Sequence, residues 1–300
     1  MTDKLRIAEQ DIIFLSYDEP NAEKNYADLC QKIPWAKRVH GVKGSDAAHK
    51  ACADLSETEH FVTVDGDNIV NPEFLNVEID LDSLGVTKNH VFSWCGKVHV
   101  NGLMYGNGGL KLWNKKFVQN MRTHEASDGS DERSLVEFCF DELYFQFNEN
   151  YSTSYTNGSP FQAWRAGFRE GVKMSLNQGA KVEDIKSVWW QNLERLLIWC
   201  SVGADVENGL WSIYGAREGC YLTNCTDWDY TQVRDFDYLT EYWNKKHQNE
   251  SDNAPIEKID KLSYSLSNDL GLEIATLDAE ANRFFKKVYK NTPRTYKRLK

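Results

Sequence analysis

The sequence lacks the long apolar runs that a membrane protein requires. No uninterrupted run approaches the roughly 20 apolar residues that cross a bilayer as a helix. The first ten residues, MTDKLRIAEQ, also lack the apolar core of a secretory signal. We therefore expect a cytoplasmic protein with no membrane partner.

Paired cysteine motifs are also absent. The seven cysteines are odd in number and scattered, and no C-x-x-C pair occurs among them. Disulfide frameworks use even numbers of cysteines, and structural zinc sites use closely spaced pairs. The pattern therefore predicts reduced thiols and argues against both kinds of site. No segment repeats at a fixed period, which argues against a solenoid.

The chain does contain enough apolar material for a globular core. Of its 300 residues 41% are hydrophobic, including ten Trp, which argues against disorder. The formal charge is −10, yet the last twenty residues hold eight Lys or Arg and no acid. Such a basic tail, with aromatic residues between the charges, can follow a polyanion by neutralising phosphates and stacking on bases. The alternative is a solvated terminal helix with a frayed end.

The order of apolar segments predicts an α/β architecture in the first half of the chain. Strand-length apolar runs occur at residues 11–16, 37–43, 60–64 and 90–100, with helical periodicity between the early ones. Beyond Asn157, apolar residues recur at helical spacing. We therefore predict an α/β region over residues 1–157 and a mainly helical extension over residues 158–300.

A polar turn directly follows one of these strands. His60–Val64 leads into the sequence Asp65-Gly66-Asp67-Asn68. Ligands of open α/β sheets bind at the carboxyl ends of the strands. Two carboxylates at this spacing can hold a hard divalent cation, which can in turn bridge pyrophosphate oxygens. The alternative is an ordinary polar turn in which both Asp side chains bond the local backbone.

The features around this turn resemble the nucleotide-sugar glycosyltransferases of the GT-A fold, in particular family 2-like enzymes. Residues 16–19, SYDE, resemble the Ser/Thr-Tyr-Asn-Glu turn after that family's first strand, with Asp in place of Asn. Gly44 precedes an alanine-bearing helix, and FVTVDGDN resembles the strand with the D-x-D motif. Gly108-Gly109 resembles an acceptor-side Gly-Gly segment. The resemblance covers residues 10–115 and implies a GT-A-like mixed sheet.

The resemblance also implies roles for individual residues. Ser16, Tyr17 and Glu19 are expected at the donor, near its nucleobase and ribose, and the expected donor is a UDP-sugar. Asp65 is expected near the ribose or the metal, and Asp67 on Mn²⁺ or Mg²⁺.

Two further basic residues are candidates on the same ground. Lys50 occupies a position where such families often place an Arg near the nucleotide; the alternative is an exposed helix residue. Metal-dependent members often have a third ligand far downstream, frequently a His. His247 is the only His beyond residue 124 and is therefore the candidate, with a solvated surface His as the alternative.

An inverting transfer needs a carboxylate that accepts the proton of the acceptor hydroxyl. In the resembling family this acid often follows the Gly-Gly segment. Asp141 is the first candidate for this catalytic base and Glu142 the second. Both also fit ordinary acidic residues at the start of a helix. A retaining transfer needs no such base.

A helix with two arginines is predicted after Asn157. Ser159 suits its N-cap and Pro160 its first position. Arg165 and Arg169 then fall on one face, where their guanidinium groups can clamp pyrophosphate or nucleic-acid phosphate. The alternative is a surface helix with its aromatic residues packed inward.

These features predict a metal-dependent glycosyltransferase, either a hexosyl- or a pentosyltransferase. The sequence resembles tailed-phage enzymes that glycosylate hydroxymethylated bases in DNA. The resemblance lies in the lack of a membrane anchor, the basic aromatic tail and the arginine-bearing helix. Hydroxymethylated cytosine in phage DNA is therefore the expected acceptor, and the host cytoplasm the expected location. A glycan or protein acceptor is one alternative. A non-catalytic nucleotide- or metal-binding module is the other.

Overall fold

The computed structural model describes residues 4–106, 109–124, 136, 143–247 and 255–290. In this part the chain divides into two compact units. The first is built mainly from residues 4–122 and 143–155, and the second mainly from residues 156–247 and 255–289. The chain thus leaves the first unit after Arg122 and returns to it for residues 143–155. Most of the remaining described residues then form the second unit.

The first unit is a mixed α/β structure. Its strands are β1 (Lys4–Arg6), β2 (Asp11–Ser16), β3 (Lys37–His40), β4 (His60–Asp65), β5 (Asn68–Val70), β6 (Glu78–Asp80), β7 (Val91–Val98), β8 (Met104–Tyr105), β9 (Leu110–Asn114) and β10 (Tyr144–Ser154). Its helices are α1 (Ala22–Lys32), α2 (Ser45–Leu55), α3 (Leu81–Leu84) and α4 (Lys115–Asn120).

The main sheet has the strand order β3-β2-β4-β9-β7-β10-β5, and β8 pairs with β7. β2 is parallel to β3 and β4, and β7 is parallel to β10. β9 runs antiparallel between β4 and β7. As a result β2, β4, β7 and β10 all end at one edge of the sheet, which we call the carboxyl edge. The mixed sheet and the helical second unit confirm the GT-A-like α/β fold class predicted from the sequence.

The two faces of the sheet differ in chemistry because successive side chains of a strand point to opposite faces. Val62 and Val64 of β4 belong to a buried apolar cluster with Ile12 and Phe14 of β2. Thr63 alternates with them, is fully buried, and accepts a hydrogen bond from Trp113 Nε1 at 2.8 Å. One face therefore forms the apolar core. The other face carries buried polar groups that lie towards the turn Asp65-Gly66-Asp67.

The helix α2 begins at Ser45, and Gly44 directly precedes it. Gly44 has a φ of 90°, in the left-handed range that favours glycine. The glycine that contributes to the family resemblance is thus required by the backbone at the entry to this helix.

The second unit is built from helices: α5 (Pro160–Met174), α6 (Trp190–Trp199), α7 (Gly209–Cys225), α8 (Phe236–His247), α9 (Ile256–Leu270) and α10 (Ala279–Val288). Ser159 caps α5 as predicted, because its side chain accepts a hydrogen bond from the Gln162 amide at 3.1 Å. Within the described ranges, no helix combines the length and apolar character needed to cross a membrane.

Glycines set the close packing of α5 against α7. Gly167 and Gly171 lie four residues apart on α5, and Gly215 and Gly219 are spaced likewise on α7. A Cβ added at any of the four would overlap a backbone carbonyl of the facing helix, such as that of Ser212 for Gly167. The two helix backbones therefore touch directly, and no larger residue fits between them.

A fully buried arginine ties three segments of the second unit together. Arg217 of α7 donates to the carbonyls of Cys200 and Ile259, each at 2.9 Å, and to Thr276 Oγ1 at 3.0 Å. Burial lowers the pKa of this guanidinium. Because a buried charge is costly unless its donors are bonded, this residue fixes the chain after α6, the helix α9 and the segment that follows it.

Candidate functional site

Three acidic residues lie near one another at the carboxyl edge of the sheet: Glu19 after β2, and Asp65 and Asp67 in the turn that ends β4, which we call the acidic turn. The negative charges of Asp65 and Glu19 act on Asp67. Gly66 lies between the two Asp residues, and a Cβ there would sit 2.6 Å from Glu19 Oε2. Asn25 of α1 donates to the Gly66 carbonyl at 2.9 Å. Glycine is thus the residue that lets the Glu19 carboxylate approach the acidic turn.

Both oxygens of Asp67 have a hydrogen-bond donor. Asn68 Nδ2 donates to Oδ1 at 2.6 Å, and Ser154 Oγ of β10 donates to Oδ2 at 3.4 Å. Asn68 itself is buried and lies where a Cβ at Gly109 would collide with it. The glycine of the Gly-Gly segment therefore makes room for the amide that orients Asp67.

The site holds more negative charge than its surroundings neutralise. Burial raises the pKa of Asp65 to about 6; the Lys111 ammonium opposes this rise, and Glu19 adds to it. Burial, together with the charges of Asp65 and Glu19, raises the pKa of Asp67 to about 7. Like charges in a partly desolvated site disfavour ionisation of each other. A divalent cation would relieve this repulsion.

The donor set fits a cation that is shared with a substrate. Among the described ranges, no three His, Cys, Asp or Glu side chains converge as a complete metal cage. Mg²⁺ is usually held in proteins by one or two carboxylates, with water and substrate phosphates as its other ligands. Asp65 and Asp67 meet that requirement, with hydrogen bonds already fixing Asp67.

A buried lysine and a buried histidine lie near the acidic turn, and the sequence did not single them out. Lys111 of β9 is 5% exposed, lies opposite Thr63 in the strand register, and places Nζ 5.6 Å from the centre of the Trp113 ring. His49 of α2 contacts the edge of the same ring, with centroids 5.4 Å apart. A lysine inside the apolar run LKLW is the sequence signal that could have identified this group.

His49 is held neutral in the folded protein. Its Nδ1 donates to the Ser45 carbonyl at 2.8 Å. Burial and the Lys111 charge lower its pKa from 6.5 to about 4, while the hydrogen bond to Ser45 and the charge of Asp46 act in the opposite direction. The stability that neutral His49 provides is therefore fully present above pH 6.5 and lost as the pH falls towards 4.

We expect His49→Gln to reduce the acid sensitivity of the fold. Between pH 7 and pH 5 the wild type should lose about 2 kcal/mol more of its free energy of unfolding than the variant does, because unfolding lets His49 take up a proton. Urea unfolding of both proteins at the two pH values measures this difference, and other titrating groups cancel in the comparison. Equal losses in the two proteins would contradict the assignment of a lowered pKa to His49.

The first-strand turn lies beside the acidic turn as expected, but its side chains differ in role. Tyr17 is 47% exposed, and its amide donates to Glu19 Oε2 at 2.8 Å. Ser16 is buried, and its hydroxyl bonds His40 Nδ1 at 3.0 Å and accepts from Arg38 at 3.1 Å. The Tyr17 ring is therefore accessible at the surface, whereas the Ser16 hydroxyl is engaged inside the protein.

The other basic candidates have internal partners. Lys50 forms an ion pair with Asp46 at 2.5 Å, one turn away on α2. In the second unit, the guanidinium groups of Arg165 and Arg169 lie 5.3 and 4.7 Å from the centre of the Phe236 ring. The two arginines thus share one face of α5 as predicted and pack on an aromatic ring there.

His247 is buried rather than solvated, so the alternative of a solvated surface histidine is wrong. It is 7% exposed in the second unit, and its ring lies 4.3 Å from Trp243 and 5.3 Å from Trp211 between centroids. The apolar face of α8 explains this, because His247 ends the helix on the same side as Trp243. Its role as a metal ligand stays a prediction.

Several predicted residues lie outside the described ranges. These are the candidate bases Asp141 and Glu142, Gly108 of the Gly-Gly segment, and the basic tail from residue 291 onwards. Their assigned roles remain predictions from the sequence.

Comparison with known proteins gives few matches. No protein-family model and no curated protein matches the sequence. Among solved structures, the chain is similar to a glycosyltransferase involved in the glycosylation of the major capsid of PBCV-1, at 13% identity and a TM-score of 0.29, over 48% of this chain and 92% of that one. It is also similar to HddC from Yersinia pseudotuberculosis, at 15% identity and a TM-score of 0.29, over 53% and 78% of the two chains. TM-scores this low establish neither a shared overall fold nor a shared activity.

Proposed function

We propose that the protein is a metal-dependent glycosyltransferase that moves a sugar from a nucleoside-diphosphate donor to an acceptor hydroxyl. The observation that carries the proposal is the acidic turn. Asp65 and Asp67 lie at the carboxyl edge of an α/β sheet, and Asn68 and Ser154 orient Asp67. This is the edge at which α/β proteins bind their ligands. The proposed donor is a UDP-sugar.

The residues of the site have distinct tasks in this reaction. Bound Mn²⁺ or Mg²⁺ supplies positive charge that offsets the charge developing on the leaving diphosphate. Asp67, fixed by its two hydrogen bonds, and Asp65 hold this ion. The exposed ring of Tyr17 lies at the neighbouring strand end, where it can contact the nucleobase, while Glu19 fixes the backbone of the same turn. Asp141, or else Glu142, is proposed to accept the proton of the acceptor hydroxyl.

We further propose hydroxymethylated cytosine in DNA as the acceptor. Support for it comes from the basic, aromatic-bearing C-terminal segment, because such segments neutralise phosphates and stack on bases. A glycan or protein acceptor would leave the whole acidic turn unchanged and would not require this segment.

Donor hydrolysis tests the proposal directly. The purified protein is incubated with Mn²⁺ and with UDP-, GDP- and CDP-sugars, with and without hydroxymethylated DNA, and the released nucleoside diphosphate is measured. Release that DNA stimulates supports both the activity and the acceptor. Release that DNA does not affect supports only the activity. No release with any donor would refute the enzyme and leave a binding module.

Asn68→Ala should weaken metal binding without removing a metal ligand. Loss of the Nδ2 donor frees Asp67 to rotate, and loss of a residue that orients a ligand typically lowers metal affinity by about 10- to 100-fold. Donor turnover titrated with Mn²⁺ should therefore reach half-maximum at a correspondingly higher concentration, with most of kcat restored at saturation. Asn120→Ala, at an exposed amide on α4, is the matched control and should leave the titration unchanged. An unaltered Mn²⁺ titration in Asn68→Ala would contradict the role assigned to Asn68.

A further inference from the structure

Two stacked rings lie at the carboxyl edge and have no part in the donor site described above. His99 follows the end of β7, and Tyr155 follows the end of the parallel strand β10. Their ring centroids are 4.3 Å apart with an angle of 28° between the planes. Both side chains are only partly covered. The pair is therefore a stack of two rings at the edge of the sheet, and part of each side chain is accessible.

The backbone of this pair is joined to the acidic turn. The Tyr155 amide donates to the Asp67 carbonyl at 2.7 Å, and the His99 amide donates to the Ser154 carbonyl at 2.9 Å. Asn21 Nδ2 donates to the Tyr155 carbonyl at 2.9 Å. The backbone that carries both rings is therefore held against the turn that is proposed to bind the metal.

The strand order separates the strands that lead to this pair from the strand that leads to Tyr17. From β2 the order runs through β4, with the acidic turn, to β9, β7 and β10. Tyr17 follows β2, whereas His99 and Tyr155 follow β7 and β10. Because the proposed donor contacts Tyr17 at the end of β2, the pair at the ends of β7 and β10 is assigned to the second substrate.

We propose that His99 and Tyr155 form a stacking surface for a nucleobase of a nucleic-acid acceptor. This inference rests on the proposed function, since it assigns the acceptor side of the same site. A flat pair of rings suits a planar base, and stacking of a base on an aromatic side chain contributes about 1–3 kcal/mol without reading the sequence. A target base must also leave the duplex, or be single-stranded, before its substituent can enter an enzyme site.

Direct binding tests the surface independently of turnover. The full chain is titrated against a labelled single strand of about 12 nucleotides that contains hydroxymethylcytosine, a length typical of such sites. An abasic strand of equal length carries the same phosphates without bases, so the ratio of the two affinities isolates stacking from charge. We expect the wild type to prefer the base-bearing strand by about tenfold or more. Tyr155→Ala and His99→Ala should each remove most of this preference, whereas Tyr155→Phe, which keeps a ring, should retain it.

The outcomes separate this inference from the proposed function. Equal binding of the two strands by the wild type, or an unchanged preference in both alanine variants, overturns the stacking surface. Should Tyr155→Ala fail to fold, as judged by its urea midpoint, His99→Ala decides. If the wild type instead binds a neutral oligosaccharide, and the alanine variants lose this binding, the stacking surface for a nucleobase is also overturned. Donor hydrolysis is measured in parallel. Absence of hydrolysis refutes the glycosyltransferase and does not affect the binding result. Hydrolysis without a preference for the base-bearing strand supports the glycosyltransferase and refutes only the stacking surface.

Discussion

Asp67→Asn should abolish metal-dependent turnover of the donor. The substitution keeps the size of the side chain and an oxygen that can accept from Asn68, but it removes the charge that is proposed to bind the cation. Metal stabilisation of a leaving group contributes several kcal/mol, and a loss of about 4 kcal/mol corresponds to roughly a 1000-fold lower kcat. The measurement is release of nucleoside diphosphate at saturating donor and Mn²⁺.

The same variant should be no less stable than the wild type. Asp67 lies beside the charges of Asp65 and Glu19, so a neutral isostere relieves repulsion in the folded state. We expect Mn²⁺ to raise the melting temperature of the wild type and to leave that of Asp67→Asn unchanged. Asp54→Asn, at an exposed acid on α2, is the matched control for both measurements. Turnover within tenfold of the wild type, with an intact Mn²⁺ shift, would refute the metal site.

Gly215→Ala should destabilise the second unit strongly. Replacing Gly by Ala in a helix interior ordinarily raises the free energy of unfolding by about 1 kcal/mol. Helix propensity alone therefore predicts stabilisation. At this position, however, the new Cβ would overlap the carbonyl oxygen of Trp164 on α5. Packed backbone atoms cannot move aside as the flexible end of a side chain can. We therefore expect a loss of about 3 kcal/mol in the free energy of unfolding.

Urea unfolding, followed by the fluorescence of the buried tryptophans, measures this loss. Ser267→Ala on the exposed side of α9 is the control, because it changes helix propensity without a new contact and should shift stability by less than about 0.5 kcal/mol. Gly167→Ala should behave as Gly215→Ala does, since it meets the Ser212 carbonyl of α7. A gain in stability for both glycine variants would show that α5 and α7 are not held in direct backbone contact.

Local patterns predicted much of the fold because they act over short distances. The β-branched run before Asp65 predicted the strand β4, and the alanine-bearing segment after Gly44 predicted the helix α2. Ser159-Pro160 predicted the start of α5 correctly. The polar cluster after β4 lies at the carboxyl edge as its position after a strand predicted, and its binding of a ligand stays a prediction. In each case one strand or one helix end carries the whole signal.

The parts that sequence reasoning missed depend on strand pairing. The long strand β10 was not predicted, because the polar residues Asn148, Glu149 and Asn150 interrupt its apolar pattern, and its register with β7 shifts at this point. Ser154 and Tyr155 were therefore missed as well. Lys111 and His49 could not be placed beside the acidic turn, since only the pairing of β4 with β9 and the packing of α2 bring them there.

The strand order also determines when the site can form during synthesis. β10 lies between β7 and β5, and its last residue Ser154 pairs with Asn68 and with Val98. Until residue 154 has left the ribosome, β5 and β7 each present an open edge, and Asp67 lacks one of its two donors. The nascent chain must therefore hold an incomplete sheet while more than half of its length is made, a stage at which unpaired edges are prone to aggregation. A fragment that ends before β10 should consequently carry the D-x-D motif and yet be a poor folding unit.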